Sequence, residues 1–199
     1  MLTKAILTDS DLIGKGSNRL VYAFPDDLSR CIKVPKPGRH RHKHQKREIR
    51  FFKQLEKTLV PFDHISRYLG TVDTNFGIGY IYDAIRDADG KISNKLKTMA
   101  LNNRERVPEY LQIMETLEDY LFDNLISFYE VNPSNIVCRI NENGALEPFI
   151  IDGLGEKVAI PIFNYSRNLR RRTLRRRWLR QIKHMKTRYD WMKDYHVRH

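Results

Sequence analysis

Alternating apolar and polar residues predict short strands in the first half of the chain. Leu20–Phe24 alternates in this way, Pro25-Asp26-Asp27 provides a turn, and Cys31–Val34 follows as a second strand. Residues 68–85 carry strand-forming residues on both sides of Asn75-Phe76-Gly77, which predicts a β-hairpin. We expect these strands to form one antiparallel sheet.

Helical spacing of apolar residues predicts three helices. The first covers about residues 45–59, before Pro61, and the basic stretch 35–46 in front of it has no period and is predicted to be a loop. The second helix has one apolar face, formed by Tyr110, Ile113, Met114, Leu117, Tyr120 and Leu121. The third helix, at about residues 166–194, carries an apolar stripe of Leu174, Trp178, Ile182, Met185, Tyr189 and Met192.

The composition is that of a folded protein. The chain has 199 residues, of which 41% are hydrophobic and 30% charged, enough for one domain or a small domain with an appendage. No apolar stretch approaches the ~20 residues of a membrane span, and the first residues have no secretory signal pattern. Cys31 and Cys138 lie far apart in predicted strands, which favours the reducing cytoplasm over a disulfide framework.

The net charge belongs mostly to the third predicted helix. Residues 167–188 contain eleven Lys or Arg and no acidic residue, so that the net charge of +12 would fall to +1 without them. Three interpretations stay open. The apolar stripe packs on the rest of the chain with the arginines in solvent, or the helix lies on an anionic membrane with Trp178 at the interface, or it binds nucleic acid through phosphates.

The first half of the chain contains residue types that bind phosphate. A glycine-containing turn, Gly14-x-Gly16-x-x-Arg19-x-Val21, lies in the predicted strands. Lys33 follows on the next strand, and Glu48 lies on the first helix. Glycines allow a backbone to close over phosphates, a lysine neutralises them, and a glutamate can hold that lysine in place.

The second half contains oxygen donors suited to Mg²⁺. Pro133-Ser134-Asn135 precedes a predicted strand, and Asp152-Gly153 ends another, Pro148–Ile151. Asn135 and Asp152 would supply an amide and a carboxylate oxygen, and Mg²⁺ accepts few protein ligands when it bridges phosphates.

These four motifs, in this order, resemble the protein-kinase core. The resemblance implies that Mg-ATP is bound by Gly14, Gly16, Val21, Lys33 and Glu48, with Mg²⁺ on Asn135 and Asp152 and with Glu130 and Lys33 as catalytic residues. The sequence departs from the kinase pattern at three of these places. Arg19 stands where the third glycine of the turn is usual, and Glu130 stands where the catalytic aspartate is usual. The segment that begins at Asp152 reads Asp-x-x-Gly where Asp-Phe-Gly is usual.

The chain also resembles the YrbL family (PhoP regulatory network protein), which is known as kinase-like. The resemblance runs from about Leu12 to Pro161 and includes Arg47-Glu48, Gly70-Thr71-Val72 and Gly155-Glu156. It implies an α+β, abbreviated protein-kinase-like bilobal fold. We expect an antiparallel N-lobe sheet with one helix at residues 1–86 and a short helical C-lobe at 87–199.

Three functions remain open at this point. Few residues follow Asp152 and no Ala-Pro-Glu is among them, so the first is transfer of the γ-phosphate of ATP to a small-molecule or glycolipid hydroxyl, such as an envelope or lipopolysaccharide sugar. The second is a catalytically weak pseudokinase that binds a nucleotide or a partner. The third is nucleic-acid binding through the basic helix. We expect a cytoplasmic location, or a peripheral one at the inner face of the cytoplasmic membrane.

Overall fold

The computed structural model describes residues 4–36, 41–156 and 166–199, with the backbone alone at 41–44. Within these ranges it is a mixed α+β structure with two antiparallel sheets and four α-helices. The chain divides into two compact units. Unit 1 comprises the described residues up to Thr58 together with Ser66–Ile92, and unit 2 comprises Leu59–Ile65 and the described residues from Ser93 to His199.

Unit 1 is built on a five-stranded antiparallel sheet with the order β1-β2-β3-β5-β4. The strands are β1 (Leu12–Lys15), β2 (Arg19–Phe24), β3 (Asp27–Pro35), β4 (Tyr68–Thr74) and β5 (Gly77–Asp83). The predicted turns at Pro25-Asp26 and at Asn75-Phe76 are confirmed. Alternate side chains of β2 and β3 enter a core that consists of Ala5, Leu7, Tyr22, Phe24, Ile32 and Val34.

The helix of unit 1 is longer than the apolar spacing predicts. Helix α1 covers Arg41–Lys57, so the loop predicted for 35–46 is wrong from Arg41 onward, whereas residues 37–40 lie outside the described ranges. Its first turns contain Lys, Gln and Arg, which favour helix without contributing any apolar period. Phe51, Phe52 and Leu55 bury the apolar face, as predicted.

Unit 2 combines a small sheet with three helices. The sheet has the order β6-β7-β8, formed by β6 (Asn94–Lys95), β7 (Ile136–Ile140) and β8 (Leu146–Ile150). The helices are α2 (Leu96–Asn102), α3 (Val107–Asp123) and α4 (Arg167–Arg188), and a 3-10 turn at Asp190–Met192 follows α4. None of these helices, nor α1, has the length and apolar character that crossing a bilayer requires.

The apolar faces of α3 and α4 are both buried. All six residues of the predicted α3 face are in the core, and so are all six residues of the apolar stripe that begins at Leu174. Trp178 is 0% exposed and its ring contacts Phe128 edge-on, with 5.6 Å between centroids. The stripe therefore packs within unit 2, and Trp178 does not lie at a membrane interface as one interpretation required.

The last residues are tied to α3 through a buried carboxylate. Glu118 is fully buried and accepts hydrogen bonds from the backbone N–H groups of Arg198 and His199, each at 2.9 Å, and from the Tyr195 hydroxyl. Asp119 accepts further bonds from the side chains of Arg198 and His199. Three hydrogen-bond donors offset the free-energy cost of burying the Glu118 carboxylate. These contacts fix the end of the chain on α3.

Candidate functional site

In unit 1, strand β3 places Lys33 in the interior. The residue pairs with Val21 of β2 and with Tyr80 of β5, and it is only 6% exposed. Its ammonium nitrogen lies 3.9 Å from the centroid of the Tyr82 ring, a distance typical of a cation–π contact. The buried ring therefore holds the lysine nitrogen near α1.

Glu48, on α1, is held by two donors. Arg19 Nη1 donates to its Oε2 at 2.8 Å, and the Tyr82 hydroxyl donates to its Oε1 at 2.9 Å. Gln45 completes the network, since its Nε2 donates to the Tyr82 hydroxyl at 3.0 Å and its Oε1 accepts from Arg19 at 3.3 Å. Burial and the Glu48 carboxylate raise the pKa of Tyr82 well above its ordinary value, so the phenol stays a donor at neutral pH.

The structure brings the predicted pair Lys33 and Glu48 into one cluster around Tyr82, and it adds three residues that were not predicted as site residues. These are Arg19, Gln45 and Tyr82. Arg19 had a signal, because it stands at a motif position where glycine is usual. No sequence signal marked Gln45 or Tyr82 as a site residue, since polar residues on helices and tyrosines in strands are common.

The turn with Gly14 and Gly16 joins β1 to β2. The Gly16 N–H donates to the carbonyl oxygen of Arg19 at 2.9 Å, and Lys36 Nζ donates to the Gly16 carbonyl at 2.6 Å. Neither glycine has φ in the left-handed region, and an added Cβ would meet only ordinary contacts, at 3.5 Å for Gly14 and 3.4 Å for Gly16. The fold itself therefore does not require glycine at either position.

In unit 2, two segments lie side by side and bring the predicted metal ligands together. The N–H groups of Tyr129 and Glu130 both donate to the carbonyl of Gly153, at 2.8 and 3.0 Å. The Gly155 N–H donates to the Ser127 carbonyl at 2.8 Å. Gly153 has φ +91°, and a Cβ at this position would lie 1.8 Å from the carbonyl oxygen of Glu130, so only glycine fits.

Asn135 lies against the two residues that precede and follow Asp152 in the chain. Its backbone carbonyl accepts from the N–H of Ile151 at 2.9 Å, and its Nδ2 lies 3.3 Å from the place that a Cβ of Gly153 would occupy. The same Nδ2 donates to the carbonyl of Glu130 at 3.0 Å, which leaves the amide oxygen as the atom suited to a cation. Asp152 Oδ1 accepts from the Gly153 N–H at 2.8 Å and from the Tyr129 hydroxyl at 3.4 Å.

The oxygen atoms of Asn135 and Asp152 suit Mg²⁺ better than they suit a metal ion whose ligands all come from the protein. Among the residues that the structure describes, no three His, Cys, Asp or Glu side chains cluster as a metal site. One carboxylate oxygen and one amide oxygen would suit Mg²⁺, which takes few protein ligands when it binds together with phosphates. Glu130 is exposed beside them, and its carboxylate accepts from Asn132 Nδ2 at 3.1 Å.

Helix α4 supports the loop that carries Glu130, a role that the sequence did not reveal. Gln181 Oε1 accepts from the Val131 N–H at 2.7 Å. Arg177 donates to the carbonyl of Phe128 at 3.3 Å and pairs with Glu156 at 2.7 Å. Both side chains flank Trp178 and Ile182 of the buried stripe, so the packing of α4 places them against the loop.

Comparison with known proteins gives one consistent result. The protein-family model of the PhoP regulatory network protein YrbL matches residues 5–186. Two relatives, each named uncharacterized protein YrbL, come from Escherichia coli (strain K12) and Shigella flexneri. Each is 37% identical over 180 residues, which covers 88% of this chain and 85% of the relative.

Proposed function

The chain belongs to the family of the PhoP regulatory network protein YrbL, and on this premise we propose that it is a kinase-like phosphotransferase of an abbreviated bilobal fold. In this proposal it moves the γ-phosphate of Mg-ATP to a hydroxyl acceptor. The family name indicates a regulatory network and specifies no reaction, so the reaction is argued from the chain's own residues.

One observation carries the proposal: Gly153 holds the segment of Asp152 against the loop of Glu130 and Asn135. Four backbone hydrogen bonds fix this arrangement, and the steric requirement at Gly153 makes it specific. A carboxylate, an amide oxygen and an exposed carboxylate on adjoining segments are the groups that phosphoryl transfer needs. Asn135 and Asp152 would hold Mg²⁺, which neutralises developing phosphate charge.

The cluster in unit 1 supports a role in phosphate binding. Arg19 pairs with the Glu48 carboxylate, and the Lys33 ammonium lies over the ring of Tyr82, whose hydroxyl donates to the same carboxylate. With two cations and one carboxylate, these residues carry an excess positive charge. Lys33 would contact the α- and β-phosphates of ATP, while Glu48 orients the cations. Gly14 and Gly16 would let the backbone approach the phosphates, a role consistent with glycines that the fold does not require.

Glu130 is proposed as the base. Its carboxylate would accept the proton of the acceptor hydroxyl while that oxygen attacks the γ-phosphorus, and the bond to the β-phosphate oxygen breaks to release ADP. The product is a phosphate monoester of the acceptor. The acceptor fits a small-molecule or glycolipid hydroxyl, since only residues 153–166 separate Asp152 from α4, too few for the peptide-docking segment of protein kinases.

A second function, nucleotide binding without transfer, is favoured by the contacts of Asp152 and Glu48. Asp152 Oδ1 already accepts from Tyr129 and Gly153. The Glu48 carboxylate already accepts from Arg19 and Tyr82. A pseudokinase would keep these contacts and use ATP as a regulatory ligand.

The deciding experiment is a thermal-shift titration with ATP and Mg²⁺, combined with measurement of ADP release. Wild type and Asp194→Ala, an exposed control in the same unit, should shift equally, and Asp152→Ala should shift little or not at all. ADP release with the wild-type shift supports the transferase, and a shift without release supports the pseudokinase. Equal shifts in all three proteins, or none in wild type, would contradict both functions.

A further inference from the structure

Helix α4 has a second face that is exposed within the part of the chain that the structure describes. Four of its exposed residues, Arg172, Arg176, Arg180 and Lys183, are spaced by four, four and three positions. At 3.6 residues per turn they lie within about a third of the helix circumference, opposite the buried stripe. We call this surface, together with the leucines described next, the cationic face.

Two leucines lie within the same arc as these cations. Leu169 is 46% exposed and Leu179 is 44% exposed, so both present apolar surface among the arginines. They do not extend the buried stripe, which lies on the other side of the helix. The cationic face therefore consists of Leu169, Arg172, Arg176, Leu179, Arg180 and Lys183.

The cations of the cationic face repel one another, and no acidic side chain among the described residues offsets this repulsion. Among the residues that the structure describes, none of its four cations forms an ion pair, and residues 167–188 contain no acidic side chain. Like charges at Arg172, Arg176 and Arg180 are four residues apart and weaken the helix. An anionic partner outside the chain would remove this repulsion.

We propose that the cationic face docks on the surface of an anionic lipid bilayer. The four cations complement the negative headgroups, and the two leucines can enter the headgroup region between them. The helix has 22 residues, so it lies along about 33 Å of a flat surface. A nucleic-acid duplex would bind the same cations through its phosphates, and leucines take no part in phosphate contacts.

In this proposal the membrane-binding surface is the cationic face, not the apolar stripe that contains Trp178. Trp178 and its neighbours are buried within unit 2 and cannot reach a membrane while the protein is folded. Binding through the cationic face leaves that packing unchanged, and it leaves Gln181 and Arg177 on the loop of Glu130. The proposal does not depend on whether the protein transfers phosphate.

The test is co-sedimentation of the full chain with vesicles of mixed phosphatidylglycerol and phosphatidylcholine, at low salt, against phosphatidylcholine alone. The triple variant Arg172→Gln, Arg176→Gln, Arg180→Gln should bind the anionic vesicles roughly 100-fold more weakly, since each cation near such a surface contributes about fivefold. The matched control, Arg50→Gln, Lys53→Gln, Lys57→Gln on α1, removes the same charge from another exposed surface and should bind like wild type.

A second variant separates a membrane from a nucleic acid. Leu169→Ser with Leu179→Ser should weaken vesicle binding about tenfold and leave binding to a DNA duplex unchanged. Because all substituted side chains are exposed, and the arginine substitutions relieve like-charge repulsion, the unfolding midpoints of the variants should not fall below that of wild type. Three results would overturn the proposal: no wild-type binding to anionic vesicles, equal losses in both triple variants, or vesicle binding indifferent to the leucines with tighter binding to the duplex.

Discussion

Arg19 and Glu48 form an ion pair, with 2.8 Å between Nη1 and Oε2, that joins the first residue of β2 to helix α1. The pair is largely buried, with 15% and 13% of the two side chains exposed. The Arg19 carbonyl also closes the glycine turn by accepting from Gly16. Arg19 thus contacts the glycine turn through its backbone carbonyl and Glu48 through its side chain.

Replacing Arg19 by alanine should destabilise the protein by about 2 kcal/mol, because it leaves the Glu48 carboxylate partly buried with one strong donor fewer. Urea unfolding measures this loss. The matched control is Arg30→Ala, which removes an ion pair to Asp27 whose side chains are 48% and 34% exposed. Such a pair contributes about 0.5 kcal/mol or less. Equal losses in the two variants would show that the Arg19 contact is not a structural one.

Gly153→Ala should disrupt the second half of the candidate site. The new Cβ would lie 1.8 Å from the Glu130 carbonyl, so one of the two segments must move, and we expect a loss of stability of about 3 kcal/mol or more. Gly144→Ala is the control, because Gly144 also has positive φ, +77°, but has no atom within 4 Å of an added Cβ. It should cost only about 1 kcal/mol of backbone strain. Similar unfolding midpoints for both variants would contradict the steric argument.

The sequence predicted the elements that carry Lys33, Glu48, Asn135 and Asp152, because strand alternation, helical spacing and turn residues are local signals. It missed the start of α1, where charged helix formers have no apolar period, and α2, which is a single short helix. It could not reveal that Gln181 bonds Val131, fifty positions away, since nothing local links a helix glutamine to a loop N–H. Long-range polar contacts follow from packing, which a single sequence does not display.

Gln181→Ala should reduce phosphoryl transfer more than it reduces stability. Loss of its bond to the Val131 N–H removes about 1 kcal/mol, but it also releases the loop that positions Glu130 and Asn135. A displacement of about 1 Å in such a loop can lower a rate roughly 100-fold. His184→Ala, an exposed position on the same helix, is the control. If ADP release falls only in proportion to the fraction of unfolded protein, the positioning role is excluded.

Tyr82 makes stability sensitive to alkaline pH. Its folded-state pKa is raised by burial and by Glu48, while in the unfolded chain it titrates near its ordinary value of about 10. Its contribution is therefore fully present below pH ~10 and is lost as the pH rises above that value. Tyr82→Phe should cost about 1 kcal/mol at neutral pH and make the decline above pH ~10 less steep, as measured by urea unfolding at several pH values. An unchanged slope would contradict this role.

Glu130→Gln separates the transferase from the pseudokinase. The carboxylate is exposed and bonds only Asn132 among the described residues, so its neutral isostere should fit the loop without loss of stability. If Glu130 accepts the acceptor's proton, ADP release should fall about 100-fold or more, because a positioned base contributes this much. The thermal shift with ATP and Mg²⁺ should remain, since the base contacts the acceptor and not the nucleotide.

Two further variants make this prediction specific. Glu142→Gln alters an exposed glutamate in the same unit and should leave ADP release unchanged. Glu130→Asp keeps a carboxylate but shortens its reach by one methylene, so its rate should lie between those of wild type and Glu130→Gln. A rate unaffected in Glu130→Gln would remove this residue as the base while leaving the Mg²⁺ ligands Asn135 and Asp152 to be tested on their own.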